Sequence, residues 1–133
     1  MFALRLYGAG DIRLEEMPIP SIGPGELLLK TEAAALCGTD IRMWQNGVKG
    51  VDEAHPLVLG HEFAGTVVQT GEGVPIYRVG MRLAMQPNIG CGLCDRCVQG
   101  DFHLCNDFRA FGINMDGAFA EYVRIPADAA TRG

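Results

Sequence analysis

Clusters of lysine and arginine are missing from these 133 residues, in which sixteen acidic side chains outnumber eleven basic ones and leave a formal charge of −5. Affinity for a polyphosphate comes largely from counterions released by such clusters, so their absence argues against nucleic acid as a partner. Long apolar runs are also lacking. The opening MFALRLYGAGDIRLEEMPIP is interrupted at Arg5 and Asp11, which makes it neither a secretion signal nor a membrane span. A cytoplasmic location and no membrane partner are therefore expected. There is no internal repeat, low-complexity tract or linker, and a chain of this length defaults to one domain. Finally, no G-x-G-x-x-G stands between a strand and a helix, so a dinucleotide site is not visible.

What the chain does contain is apolar content of 48%, punctuated at short intervals by eighteen glycines and seven prolines. That pattern predicts short strands, at 2–7, 11–17, 26–36, 61–70, 81–85 and 118–125, several of them alternating apolar with polar residues. Gly23 to Gly25 and Gly71 to Gly73 read as turns between apolar runs. The segment TDIRMWQN, 39–46, is the best short helix, with Thr39 placed to cap its first turn. The expected class is mainly β, an irregular β-domain with short helices. At the other end IPADAATRG offers neither a periodic apolar segment nor a cap, and the chain is expected to break off there.

Four of the five cysteines fall between 91 and 105, in the spacing C-x2-C-x2-C-x7-C formed by Cys91, Cys94, Cys97 and Cys105. In a reducing compartment such a cluster points to metal, and two-residue loops let successive thiolates turn onto one ion. Four thiolates close a tetrahedral shell, so this pattern predicts a structural zinc site in a loop lobe at about 90–106. Two rivals fit less well. An iron–sulfur pattern places its fourth cysteine about three residues on and before proline, whereas Cys105 follows after seven and precedes Asn106. A nucleic-acid-binding zinc module needs basic surroundings, and here Arg96 and Arg109 face Asp95, Asp101 and Asp107. His103 lies inside the loop, but four sulfurs already complete the shell, so it reads as a solvated loop histidine.

The fifth cysteine, Cys37, has partners available in His61 and Glu62, which follow Gly60 and precede the apolar run FAGTVV. Thiolate, imidazole and carboxylate are all zinc ligands. Adjacent residues of a regular strand point to opposite faces, so both side chains reach one ion only where the chain bends, and Gly60 permits the bend. Spacing alone leaves the alternative open, with Cys37 a small buried hydrophobe and His61-Glu62 a strand edge.

Taken together, Cys37-Gly38-Thr39-Asp40, the segment GHEFAGTVVQTGEGV at 60–74 and the cysteine lobe resemble the zinc-dependent medium-chain dehydrogenases, most closely the sorbitol and related polyol or alcohol dehydrogenases. The resemblance runs over nearly the whole chain. It implies a GroES-like catalytic β-barrel over residues 1–133, in which Cys37, His61 and Glu62 bind a catalytic zinc with one position left open. In such enzymes zinc acts as a Lewis acid on an alcohol oxygen, so that an alkoxide forms near neutral pH and releases hydride to NAD or NADP. Thr39 matches the hydroxyl that begins a proton relay, and Asp40 the carboxylate that orients the histidine ligand.

Two departures and one gap qualify that expectation. Relatives often carry a histidine where this chain has Arg42, which does not release its proton near neutral pH. Met43 and Trp44 sit either in the substrate pocket or in the core of the short helix, and His55, before Pro56, reads as a loop residue. Because family members continue into a Rossmann domain, these residues alone are expected not to turn over substrate, to fill the sulfur site and to hold metal more weakly at the open one. Expected partners are a small alcohol or polyol and, for the whole enzyme, further copies of itself. The alternative is a non-enzymatic, zinc-stabilised module that binds a protein partner.

Overall fold

The computed structural model describes residues 1–132. β1 (Phe2–Gly8) and β2 (Asp11–Glu16) form an antiparallel hairpin, and β4 (Leu57–Val58) pairs with the other edge of β1. The second sheet contains β3 (Leu27–Ala35), β5 (Glu62–Thr70), β6 (Arg82–Met85) and β9 (Tyr122–Ile125), in the order β6-β5-β3-β9. β7 (Asn88–Ile89) and β8 (Arg109–Ala110) make a small third sheet. Three short helices, α1 (Gly38–Asn46), α2 (Asp95–Val98) and α3 (Ala127–Arg132), and a 3-10 turn at Phe102–Leu104 complete the described residues. The molecule is mainly β, as the sequence predicts, and its strands form open sheets joined by a bridge between Ala3 and Ala120.

Strand burial follows the neighbours each strand acquires. In β5 the alternation is regular, with Phe63, Gly65 and Val67 turned inward and their neighbours less buried. β3 instead begins with Leu27, Leu28 and Leu29 all buried, because β5 and β9 flank its first half. Past Lys30 the β9 partner ends, and Ala33 to Ala35 are exposed.

Two apolar cores result. Leu27, Leu29, Phe63, Val67 and Phe111 anchor the larger, where the Phe63 and Phe111 rings meet edge to face at 5.3 Å. Leu6, Leu57, Leu59 and Met43 form the smaller, which fastens α1 to the first sheet. Met43 is therefore core, while Trp44 is 41% exposed.

The chain crosses from one core to the other between Leu59 and Phe63, and the crossing turns at Gly60. Its φ of +91° lies in the region open to glycine. A Cβ there would sit 2.5 Å from the Phe119 ring, and the Gly60 carbonyl accepts the Ala118 N–H at 2.8 Å. This contact explains one departure from expectation. The strand predicted at 118–125 begins only at Tyr122, because Gly117, Ala118 and Phe119 give their N–H groups to Val58, Gly60 and Leu59.

The terminal segment also differs from expectation. Where no periodic apolar segment or cap was read, 127–132 forms α3, since Pro126 precedes an alanine-rich run and Asp128 lies in its first turn. Ala130 packs into the larger core, and Asp128 pairs with Arg109. The domain expected over 1–133 and the terminal segment extend to Gly133, which lies outside the described residues.

Candidate metal centres

Cys37 stands at the junction of β3 and α1, and it is the residue that caps the helix. Thr39, expected in that role, lies inside the first turn with its hydroxyl engaged elsewhere: Oγ1 accepts a hydrogen bond from Arg42 Nη2 at 3.1 Å and lies 3.8 Å from Cys37 Sγ. Asp40 serves the helix start instead. Its Oδ2 accepts the Cys37 N–H at 2.9 Å, which fixes the cysteine backbone and satisfies a donor at the helix entrance.

The other oxygen of Asp40 faces His61. Both side chains are buried, and Oδ1 lies 3.4 Å from Nδ1. Neither atom has another hydrogen-bond partner. The carboxylate is an acceptor placed for an N–H at Nδ1, the arrangement that leaves Nε2 to face a metal. Nε2 lies 3.9 Å from Glu62 Oε1. One ligand atom from each of Cys37, His61 and Glu62 lies within 4.8 Å of the others. The turn at Gly60 produces this convergence, since it swings His61 out of strand alternation before β5 begins at Glu62.

The sulfur cluster has a different character. None of Cys91, Cys94, Cys97 and Cys105 is in a disulfide, and their Sγ atoms lie within 4.8 Å of one another. Short helical pieces set the geometry: Cys94 precedes α2, Cys97 lies in it, and Cys105 follows the 3-10 turn. Backbone donors point at the sulfurs, from Leu93 and Cys94 to Cys91 Sγ at 3.5 and 3.4 Å, and from Cys91 to Cys105 Sγ at 3.3 Å. Gly90 is needed for close approach, because a Cβ there would lie 2.7 Å from Cys97 Sγ.

Electrostatically the four thiols are unequal. The backbone N–H of Cys97 pulls the Cys94 thiol down to about 6, and backbone donors led by Leu93 lower Cys91. Burial pushes Cys97 up to about 12. Cys91 and Cys94 are thus biased to thiolate, while burial holds Cys97 toward its thiol form.

Other predicted positions fall plainly. His55 is exposed beside Asp52 in the loop after α1, and His103 belongs to neither cluster among the described residues. A cavity of 320 Å³ bordered by Leu83, Met85, Ile89, Phe102 and Ala129 includes none of the Cys37, His61 and Glu62 trio. Two features escaped the sequence: the contact of Arg42 with Thr39 and the N–H donors to sulfur. The i, i+3 spacing on α1 is the signal for the first, and the two-residue loops between cysteines for the second.

Comparison with known proteins places this geometry in context. A family described as the alcohol dehydrogenase GroES-like domain matches residues 23–132. An L-threonine 3-dehydrogenase of Symbiobacterium thermophilum is 44% identical over 129 residues, covering 95% of this chain and 36% of the relative. The sorbitol dehydrogenase of Bombyx mori is 37% identical over 96% of this chain and 37% of its own length. Among solved structures, a protein described as a zinc-binding dehydrogenase from Sinorhizobium meliloti, bound to NADP, superposes with a TM-score of 0.84 at 41% identity. That match covers 95% of this chain and 36% of the other. The chain thus spans little more than a third of the length of these relatives.

Proposed function

Because this chain belongs to the alcohol dehydrogenase GroES-like domain family, we propose that residues 1–133 supply the metal-binding catalytic domain of a zinc-dependent NAD(P) dehydrogenase acting on small secondary alcohols or polyols. The observation that carries this reading is the approach of Cys37, His61 and Glu62 to within 4.8 Å, with the Asp40 carboxylate behind the imidazole. The donor set fits zinc. A thiolate, an imidazole and a carboxylate leave a fourth position open, and the buried Asp40 and His61 atoms that lack other partners are the ones a histidine ligand needs paired.

Zinc held there would supply Lewis acidity, lowering the pKa of an alcohol so that its carbon can pass hydride to NAD(P). The surrounding residues do the positioning. Asp40 holds the His61 ring in one tautomer and orientation, and the α1 cap holds Cys37. Thr39 Oγ1 lies beside the sulfur, where its proton can be passed between a substrate hydroxyl and water. Arg42 donates to that oxygen and does not accept a proton, so the path from Thr39 leads to solvent. In the same reading the cysteine quartet holds a second, structural zinc and staples the lobe at 90–106. In that reading the reduced thiols also suit a cytoplasmic setting.

Cobalt in place of zinc tests the reading through its visible absorption. Addition of a secondary alcohol to the cobalt-loaded chain is expected to shift the band of the mixed site, and Cys37→Ser to remove that band. A spectrum unchanged by every alcohol tried contradicts the proposal.

A further inference from the structure

His61 is aimed by the peptide that precedes it, and that peptide is gripped by a distant part of the chain. Segment 117–119 lies along 58–60. Gly117 N–H donates to Val58 O at 2.8 Å, Phe119 N–H to Leu59 O at 2.9 Å and Ala118 N–H to Gly60 O at 2.8 Å. The last of these bonds has a consequence the others lack. The Gly60 carbonyl and the His61 N–H belong to one planar unit, so a donor fixed on that oxygen sets the plane from which the His61 side chain departs.

The two segments touch without slack. A Cβ on Gly117 would lie 2.2 Å from the Gly60 oxygen and 2.6 Å from the Leu59 oxygen, and one on Gly112 would lie 2.8 Å from the Gly60 carbonyl carbon. Gly112 has φ +63° and favours glycine whatever it touches. Gly117 is outside the left-handed region, so the backbone of 59–60 and 112 is what excludes a side chain there. His61 in turn has little freedom to move. Its Nδ1 faces Asp40 Oδ1 at 3.4 Å while Nε2 faces Glu62 Oε1 at 3.9 Å. Asp40 and Cys37 belong to the first turn of α1 and its cap, so rotating the Gly60–His61 peptide would carry the imidazole away from groups held on another element.

We infer that Gly117 is a positioning residue for the mixed metal site: by lacking a side chain it lets Ala118 hold the Gly60–His61 peptide at the angle that brings His61 to Cys37 and Glu62. The inference rests on the metal reading proposed above and adds to it a residue that touches none of the three ligand side chains' donor atoms.

Cobalt titration tests it on the chain whose sulfur site has first been filled with zinc, the band of the mixed site being the one lost in Cys37→Ser. Gly117→Ala is expected to weaken cobalt binding there about tenfold to a hundredfold and to shift the band, as loss of support for a metal ligand does. Ile125→Val is the control for packing alone, since Ile125 is buried and pairs with Leu27 at the end of β3 far from Cys37. It is expected to leave both band and affinity as in the parent. A folded Gly117→Ala chain with the parent's band and affinity overturns the inference, as does the same shift in Ile125→Val. Should Gly117→Ala fail to fold, amide exchange in the unmodified chain decides. Coupling between the Ala118 bond and the metal is reciprocal, so filling the mixed site with zinc is expected to slow exchange of the Ala118 amide about tenfold relative to the amides of β9. An unchanged rate overturns the inference. If the unmodified chain shows no band that Cys37→Ser removes, the function proposed above fails, and this inference with it.

Discussion

One carboxylate serves two elements in this molecule. Asp40 is 2% exposed, accepts the N–H of Cys37 with one oxygen and faces His61 with the other. Asp40→Ala leaves both groups without their acceptor, and a loss of about 1–3 kcal/mol in stability is expected by denaturant titration. Asp40→Asn keeps the shape but not the charge opposite Nδ1, so cobalt affinity at the mixed site is expected to fall about tenfold to a hundredfold. Equal affinity in the variant would show that Asp40 only caps the helix. At this scale the sequence was informative about chemistry and poor about contacts. Residue types and the glycine before His61 made the trio one candidate of two, and only the family resemblance decided for it. They did not reveal that the cap of α1 is Cys37 and not Thr39, because the competing partner of the Thr39 hydroxyl, Arg42, is reached through a rotamer that the i, i+3 spacing permits but does not dictate.

Among elements, the crossing segment between the two cores bears the heaviest constraint. Gly60→Ala puts a side chain at φ +91° and against the Phe119 ring. A destabilisation of about 2–4 kcal/mol is expected, with cobalt binding at the mixed site weakened because His61 is mis-aimed. A variant as stable as the parent would mean that the turn relaxes freely. Strands with clean alternation, such as β5, were legible in the sequence, whereas the two-residue strands, α2 and the 3-10 turn were too short to leave a periodic signal. α3 was missed because its helical tendency comes from alanine and from docking on the larger core, not from an apolar stripe. The loop after α1 is tied to β2 where Arg13 bridges Asp11 and Glu53, lying 4.0 Å over the Tyr7 ring. Arg13 holds both carboxyls below their ordinary range. The stabilisation they contribute is present above the unfolded-state carboxyl pKa and is lost as pH falls through the lowered folded values. The difference in melting temperature between the parent and Arg13→Gln should therefore be widest near neutrality and close on acidification. Because these groups are exposed, that difference is expected to be small. A difference that grows in acid contradicts this assignment.

For the molecule as a whole, the two apolar cores and the sulfur lobe are separate sources of order. The cores hold the sheets, while the 91–105 segment exposes Leu93, Val98 and Leu104 and has little apolar packing of its own. Zinc bound by the four thiolates would contribute on the order of 10 kcal/mol to the folding of such a lobe. Chelation is expected to strip hydrogen-exchange protection from this segment first and leave β3 and β5 protected, whereas simultaneous loss in all three would show the lobe and sheets to be one cooperative unit. No helix among the described residues is long and apolar enough to cross a membrane. Nothing in the 133 residues provides a dinucleotide fingerprint, so the purified chain is expected to bind metal without oxidising alcohols, and steady NAD(P) reduction by it would contradict that assignment of roles. Two independent coordination sets underlie all of these roles, and counting zinc per chain by native mass spectrometry tests for them most directly. The expected result is one tightly held ion lost in Cys94→Ser and a second, weaker ion lost in Cys37→Ser. A single ion that survives both substitutions, or none in the unmodified reduced chain, would contradict it.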